Sequence, residues 1–347
     1  MYLQVFRFSP QISRRNLPVY LARQKLFSSS SNSAVLTDDE LKNLDAWTVS
    51  HQTVTSHDPL TAEQVHDLFI TMPTRDGGRL PFEAPVAGQP LPHGYHLPFF
   101  HAKRPSYELR EDGTENDHSP PSPFLTRMWV GGSMTWNNEL PLKIGIKTKA
   151  SSRVQDTKMR GVEAGNPKLF ARKAIQYVQE GQTVPSLTEE RTHVYLHSGI
   201  YAKAAKIFDR PVQVPNGPIA FSFKFSTSPV SLFRYSAIMF NAHLIHYDPE
   251  YSQKVEGYPE RLVHGPLTAQ MLLDVTKLQM PGLALRSFDY RATNPFFVNQ
   301  EATIFGHINE SEDMVEVWCQ DNASKAVVMT GKVHYTADES NLEVKSL

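Results

Sequence analysis

The sequence has almost no cysteine, no long apolar run and no excess of either charge. Its 347 residues include one cysteine, Cys319, which excludes an intrachain disulfide framework and a zinc site built from several cysteines. No apolar run reaches the roughly 18 residues of a membrane-spanning helix, so no membrane span is predicted. The formal net charge of −1 and the lack of a nucleic-acid-binding motif predict no nucleic-acid partner.

Acidic residues are also missing from the first 37 positions, where Arg7, Arg14, Arg15, Arg23 and Lys25 accompany a serine tract. This composition is typical of a mitochondrial transit peptide. A secretory signal would need an apolar core of about 7 to 15 residues, and the short LPVYLA stretch is broken by proline. We therefore predict a mitochondrial presequence over residues 1–37 and a location in the mitochondrial matrix. The alternative is an untargeted tail.

The rest of the chain is long enough for two domains, and 40% hydrophobic residues can fill their cores. Thr61 and Gln64 predict a capping box at the start of a short amphipathic helix. Prolines and glycines predict irregular structure over residues 73–123 and a connection over residues 198–218. Strands are predicted from the following segments: MWVGGSMTW, LKIGIKTKA, LFARKAIQYVQ, RTHVYLH, FSFKFS, LRSFDYRAT, EATIFGHI, MVEVWCQ and VVMTGKVHY.

The segment 233–266 contains Asn241, His243, His246 and His264 directly before an apolar stretch, residues 267–278. Apolar residues surround nearly the whole circumference of that stretch, which predicts a buried helix. Its unpaired first-turn N–H groups can stabilise negative charge on a carbonyl oxygen. A histidine can transfer a proton near neutral pH, and an asparagine can hold water or a hydroxyl group. This combination suits addition or removal of water.

The motif FNAHLIHYD, followed by VHGPL, resembles the active-site segment of MaoC-like hot-dog hydratases and dehydratases. Within that superfamily it is most similar to the double hot-dog, mitochondrial 3-hydroxyacyl-thioester dehydratase type 2 branch, which includes hydratases of mesaconyl-type CoA esters. The superfamily pattern GDxNPxH aligns its Asp with Asn241 and its His with His246. Asparagine cannot accept a proton at neutral pH, so the departure argues against an Asp–His mechanism here.

A second segment, PSPFLTRMWVGGSMTWNNELPLKIG, resembles the non-catalytic N-terminal hot-dog of the same proteins. The resemblance implies an α+β fold, a double hot-dog of two antiparallel sheets that each wrap a central helix. It divides the chain into an N-terminal non-catalytic domain (residues 38–200) and a C-terminal catalytic domain (residues 201–347). It also implies no cofactor and no metal, and either a monomeric pseudo-dimer or a homodimer.

The resemblance further implies reversible dehydration of (R)-3-hydroxyacyl thioesters, carried by CoA or acyl-carrier protein, in mitochondrial fatty-acid synthesis. His246 and Asn241 are the expected catalytic residues. Gly265, His264 and His243 are expected to bind the substrate or its oxyanion. The alternatives are an ordinary hydrogen-bonded histidine for His246, structural support for His243, and a role in shaping the Gly265 turn for His264. For Asn241 the alternative is a turn residue that caps local backbone.

Three alternatives remain open. The chain could instead hydrate short branched or dicarboxylic enoyl-CoA esters, which requires a cation for the second carboxylate, with Arg261 and Arg286 as candidates. It could be a non-catalytic acyl-binding subunit, as the missing Asp suggests. A zinc site built from His243, His246 and His264 is the rival chemistry, although no suitably spaced carboxylate or cysteine completes it.

Overall fold

The computed structural model describes residues 36–50, 53–75, 85–198 and 210–337. The predicted presequence lies almost wholly outside these residues, and so does the predicted domain boundary at residues 200 and 201. Four α-helices are described: α1 (Asp38–Val49), α2 (Ala62–Thr71), α3 (Pro229–Met239) and α4 (Gly265–Gln279). None of the helices in this part of the chain is long and apolar enough to cross a membrane.

Ten strands form one antiparallel sheet in the order β1-β3-β4-β5-β2-β7-β10-β9-β8-β6. Their bounds are β1 (Val54–Asp58), β2 (Phe124–Trp136), β3 (Thr148–Arg160), β4 (Lys168–Gln179), β5 (Leu187–His197), β6 (Phe221–Ser226), β7 (Leu283–Ala292), β8 (Glu301–Asn309), β9 (Met314–Asp321) and β10 (Val327–Ala337). The strand order is palindromic: the five strands of the C-terminal half repeat the order of the five N-terminal strands in reverse. The halves join where β2 pairs with β7. This is the predicted double hot-dog architecture, except that the two predicted sheets are joined edge to edge into one.

The central helix of the C-terminal half is α4. Leu267, Ala269, Met271, Leu272 and Leu273 are almost completely buried, although they point in several directions around the helix. Strands β7, β8, β9 and β10 all contact it, so the predicted buried helix is confirmed.

No second long helix is found among the described residues between α2 and β2. Consecutive turns over residues 93–98 occupy this part of the N-terminal half instead. The side chains of Tyr95 and Leu97 are fully buried there, and Gly94 packs against Leu273 and Gln270 of α4. In the N-terminal half, a series of turns therefore occupies the position that is equivalent to the central helix α4 of the C-terminal half.

Most of the predicted strands are present, and Thr61 and Gln64 form the predicted capping box of α2. The strand predicted over residues 142–150 is wrong for residues 142–147, because Gly145 has a φ of +82° and the chain turns there, and it is confirmed for residues 148–150. Regular pairing starts at Thr148. Helix α1, which the sequence analysis did not predict, begins with a capping box between Thr37 and Glu40.

Candidate active site

The segment between α3 and α4 carries the predicted catalytic residues. Helix α3 ends at Phe240, whose φ of +54° lies in the left-handed region, and the chain then reverses. The backbone N–H of Asn241 donates to the carbonyl oxygen of Ser236 at 2.9 Å. Its side-chain Oδ1 accepts the backbone N–H of His243 at 3.0 Å. Because Oδ1 is used locally, the Nδ2 amide is the group that Asn241 can offer to the cavity it lines.

The ring of His246 is held by a hydrogen bond that determines its tautomer. Nδ1 lies 2.9 Å from the carbonyl oxygen of Leu262. A carbonyl oxygen can only accept, so Nδ1 carries the proton and Nε2 keeps its lone pair. Burial lowers the pKa of His246 to about 4, against a partly compensating effect of the bond to Leu262. At neutral pH His246 is therefore an uncharged imidazole with an unprotonated Nε2.

His264 and His243 both contact the ring of His246. The His264 ring stacks on it with centroids 3.7 Å apart, while the Nε2 of His264 and the Oγ of Ser236 are 2.8 Å apart. Burial, reinforced by the charges of neighbouring histidines, keeps the pKa of His264 well below its ordinary value. His243 meets the His246 ring edge to face at 5.5 Å. The three histidines form one packed group.

Gly265 begins α4, and its neighbour His264 makes no side-chain capping bond to the helix. The first-turn N–H groups consequently lack the partner that a capping side chain would supply. A side chain at position 265 would overlap the indole ring of Trp129, which arrives from β2 in the other half of the sheet. Glycine is therefore needed for this close approach.

One cavity of about 1360 Å³ brings the predicted site residues together. Asn241, His243, His246, His264 and Gly265 all line it. The opposite wall comes from the N-terminal half, through β2, β4, β5 and the irregular segment before β2. The cavity thus lies between the two halves, and both contribute side chains.

Asp112 is a further residue of the site and lies in the irregular segment before β2. Its backbone carbonyl accepts the N–H of Leu244 at 2.9 Å, and its Oδ2 lies 3.9 Å from Nε2 of His243. Burial opposes ionisation of this carboxyl, but His243 and the hydrogen bonds from Thr114 together keep its pKa below the ordinary value. An ionised carboxylate therefore lies beside the histidine group. No local motif identifies it, because the contact joins distant parts of the chain.

Two further predictions can be compared with the structure. Among the described residues, no three His, Cys, Asp or Glu side chains are arranged to hold a metal ion. The arginines proposed to bind a second carboxylate do not line the cavity: Arg261 pairs with Glu260 at 2.8 Å, and Arg286 is exposed on β7. The sequence contains no information on which face of β7 Arg286 occupies, or on the pairing of Arg261 with its neighbour Glu260.

Comparison with solved structures assigns the fold to the class of MaoC-like dehydratases. A MaoC-like dehydratase from Phytophthora capsici superposes with a TM-score of 0.62 at 17% identity, covering 85% of this chain and 98% of the other. HtdX of Mycobacterium tuberculosis superposes with a TM-score of 0.56 at 16% identity, covering 82% and 100%. At these identities the likeness concerns the fold alone.

Sequence comparison identifies the family. The profile described as hydroxyacyl-thioester dehydratase type 2 matches residues 94–298. The chain belongs to this family, which confirms the predicted family and the predicted hydro-lyase class.

Two relatives represent different substrates. Mesaconyl-C(4)-CoA hydratase of Chloroflexus aurantiacus is 32% identical over 219 residues, 62% of this chain and 75% of the relative. The mitochondrial hydroxyacyl-thioester dehydratase type 2 of Schizosaccharomyces pombe is 28% identical over 272 residues, 70% of this chain and 86% of the relative.

Proposed function

We propose that this chain catalyses the reversible dehydration of (R)-3-hydroxyacyl thioesters of CoA or acyl-carrier protein to trans-2-enoyl thioesters. The C-terminal half supplies the reacting groups, and the N-terminal half completes the cavity. The observation that carries the proposal is the neutral His246, whose Nε2 is left free by the bond from Nδ1 to Leu262. It lines the same cavity as the start of α4.

In the proposed dehydration, the N–H of Gly265 binds the thioester oxygen and stabilises the enolate that forms when C2 loses its proton. Nε2 of His246 takes that proton. The Nδ2 amide of Asn241 donates a hydrogen bond to the 3-hydroxyl group and orients it. The C3–O bond then breaks, and the imidazolium returns the proton to the departing oxygen, which leaves as water. Hydration follows the same steps in reverse.

Asp112 has a supporting role in this mechanism. Its carboxylate faces His243, which in turn contacts the ring of His246 edge to face. A negative charge in this position stabilises the imidazolium that exists between the two proton transfers. The carboxylate missing at position 241 is thus replaced, at greater distance, by one from the other half of the chain.

The test is hydration of crotonyl-CoA, followed through the loss of enoyl-thioester absorbance. His246→Ala should lower kcat on the order of 1000-fold, because the variant loses the group that carries both proton transfers. His57→Ala is the matched control, since His57 is exposed on β1 and lies outside the cavity. If His246→Ala turned over at the rate of this control, the assignment would be wrong.

We also propose that the enzyme acts in the mitochondrial matrix. Two observations support this: the basic, acid-free first 37 residues, and relatives from Schizosaccharomyces pombe and Saccharomyces cerevisiae that are described as mitochondrial. Full-length chain with a C-terminal tag should be protease-protected in mitochondria and be released with matrix markers. A variant that begins at Thr37 should remain in the cytosol. Equal distribution of the two forms would contradict the proposal.

A further inference from the structure

The cavity wall formed by the N-terminal half is unusually rich in basic side chains. Arg127 on β2, Lys173 on β4 and His193 on β5 all line the cavity. His193 is paired with Ala171 in the β4–β5 register, and Lys173 with Arg191, so these side chains lie on neighbouring positions of one sheet face. We call Arg127, Lys173 and His193 the basic cluster. A fatty acyl chain is uncharged, so binding it does not require basic side chains in the cavity wall.

The protein neutralises the basic cluster only in part. The nearby Arg191 is already paired with Glu189, through Nε and Oε1 at 2.5 Å. Arg127 donates a hydrogen bond to the hydroxyl group of Tyr195, which is uncharged and leaves the positive charge of Arg127 in place. Glu115 and Glu189 both favour the charged form of Lys173, and Glu115 also interacts with Arg127 and His101. More positive than negative charge therefore faces this part of the cavity.

His193 provides an independent indication of a ligand. Its side chain is only 8% exposed, and its Nδ1 is buried without a hydrogen-bond partner. Burial, followed by the charges of Lys173 and Arg127, keeps its pKa well below the ordinary value. Burial, together with Arg127 and Arg191, also lowers the pKa of Lys173 to about 7. A buried polar atom normally finds a partner, and buried like charges are costly unless an anion joins them.

We propose that the basic cluster binds an anionic group of the substrate, namely a carboxylate at the far end of a short acyl chain. The preferred substrates are then thioesters of dicarboxylic acids, and the inference rests on the function proposed above. The carrier's phosphates are the other source of a substrate anion. Burial favours the carboxylate, because His193 lies inside the cavity wall, whereas a CoA or carrier-protein phosphate remains close to solvent.

The test measures binding of three unreactive probes by isothermal titration calorimetry: glutaryl-CoA, pentanoyl-CoA and free CoA. Glutaryl-CoA and pentanoyl-CoA have acyl chains of equal length and differ in a terminal carboxylate or methyl group. The wild-type protein should bind glutaryl-CoA about tenfold more tightly, as expected for a charge-assisted hydrogen bond. Lys173→Met should abolish this preference, and Lys173→Arg, which keeps the charge, should retain it.

The control variant is Lys149→Met, which removes an exposed lysine of β3 that does not line the cavity. It should retain the wild-type preference. Thermal unfolding of Lys173→Met should occur at or above the wild-type temperature, because a poorly compensated buried charge has been removed. This result would exclude misfolding as the reason for lost binding.

Two outcomes would overturn the inference. If Lys173→Met weakened all three probes equally, the anion would be a phosphate of the carrier. If the wild-type protein bound glutaryl-CoA no better than pentanoyl-CoA, the basic cluster would have no role in acyl selection. Both outcomes are independent of turnover, so they are distinguishable from a failure to hydrate crotonyl-CoA, which would contradict the proposed reaction itself.

Discussion

At the scale of single residues, the direction of a hydrogen bond distinguishes His246 from its neighbour. The carbonyl of Leu262 can only accept, so it fixes the proton of His246 on Nδ1. The hydroxyl of Ser236 can donate or accept, so it leaves both tautomers open to His264. His246 is therefore the histidine whose free nitrogen is determined by the fold, and His264 is better suited to hold its ring in place through stacking.

The lowered pKa of His246 makes a prediction about pH. Burial moves this pKa from 6.5 to about 4 in the folded protein, and only the neutral form can act as the proposed base. The plot of log kcat/KM against pH should therefore stay level through pH 6.5 and fall with an acid limb near pH 4. An acid limb near pH 6.5 would contradict the assignment.

The same shift affects stability, so unfolding must be followed at each pH. Between the folded and unfolded pKa values of His246, the unfolded chain binds more protons. The stabilisation of the neutral folded form is consequently present above pH 6.5 and is lost as the pH falls toward 4. Circular dichroism at each pH separates loss of folded protein from protonation of the base.

The sequence could place Asn241, His246 and Gly265 in one site because they surround the start of one helix. Local spacing and a family motif carry that information. Asp112 and Lys173 could not be found in this way. Their positions depend on which residues of the N-terminal half face the C-terminal half. That is decided by the pairing of the strands, which the sequence alone does not specify.

At the scale of secondary-structure elements, the strand predictions succeeded where apolar residues alternate or cluster, as in β8 and β9. Strand β3 shows the limit. Its segment SSRVQDTKMR is largely polar, and the strand is exposed at many positions. The segment therefore lacks the apolar alternation that predicts a strand. Its place is determined instead by pairing with β1 on one side and β4 on the other.

The proposed oxyanion stabilisation depends on the N-terminus of α4. A methyl group at position 265 would overlap the ring of Trp129, so Gly265→Ala must displace either the helix start or the indole. Loss of one oxyanion donor should lower kcat on the order of 100-fold, and the unfolding temperature should fall as well. Steady-state kinetics with crotonyl-CoA and thermal unfolding measure the two effects.

A second substitution shows whether overlap with Trp129, and not alanine at position 265 in itself, causes the loss. In the double variant Gly265→Ala with Trp129→Leu, the smaller side chain leaves room for the added methyl group. The double variant should recover both stability and part of kcat relative to Gly265→Ala. If it remained as inactive as the single variant, overlap with Trp129 would not be the cause.

At the scale of the whole molecule, the palindromic sheet brings two unequal halves to one cavity. The C-terminal half contains α4 and the histidine group, whereas in the described residues of the N-terminal half buried turns lie where a second long helix would be expected. The N-terminal half nevertheless touches the site in three ways: Trp129 against Gly265, Asp112 beside His243, and the basic cluster in the opposite wall. The site therefore depends on how the halves fit together.

Gly113 provides a test of that fit. It has a φ of +81°, and an added Cβ would overlap the carbonyl oxygen of Ala242, beside Asn241. Gly113→Ala should therefore push the catalytic segment away and lower kcat on the order of 100-fold, as small misplacements of reacting groups do. Gly181→Ala is the control, because Gly181 has a φ of +83° but no atom near its Cβ position. Both variants bear similar backbone strain, so both should lose stability, measured by thermal unfolding. Only Gly113→Ala should lose turnover of crotonyl-CoA, and equal loss in both would mean that the halves do not need this contact for catalysis.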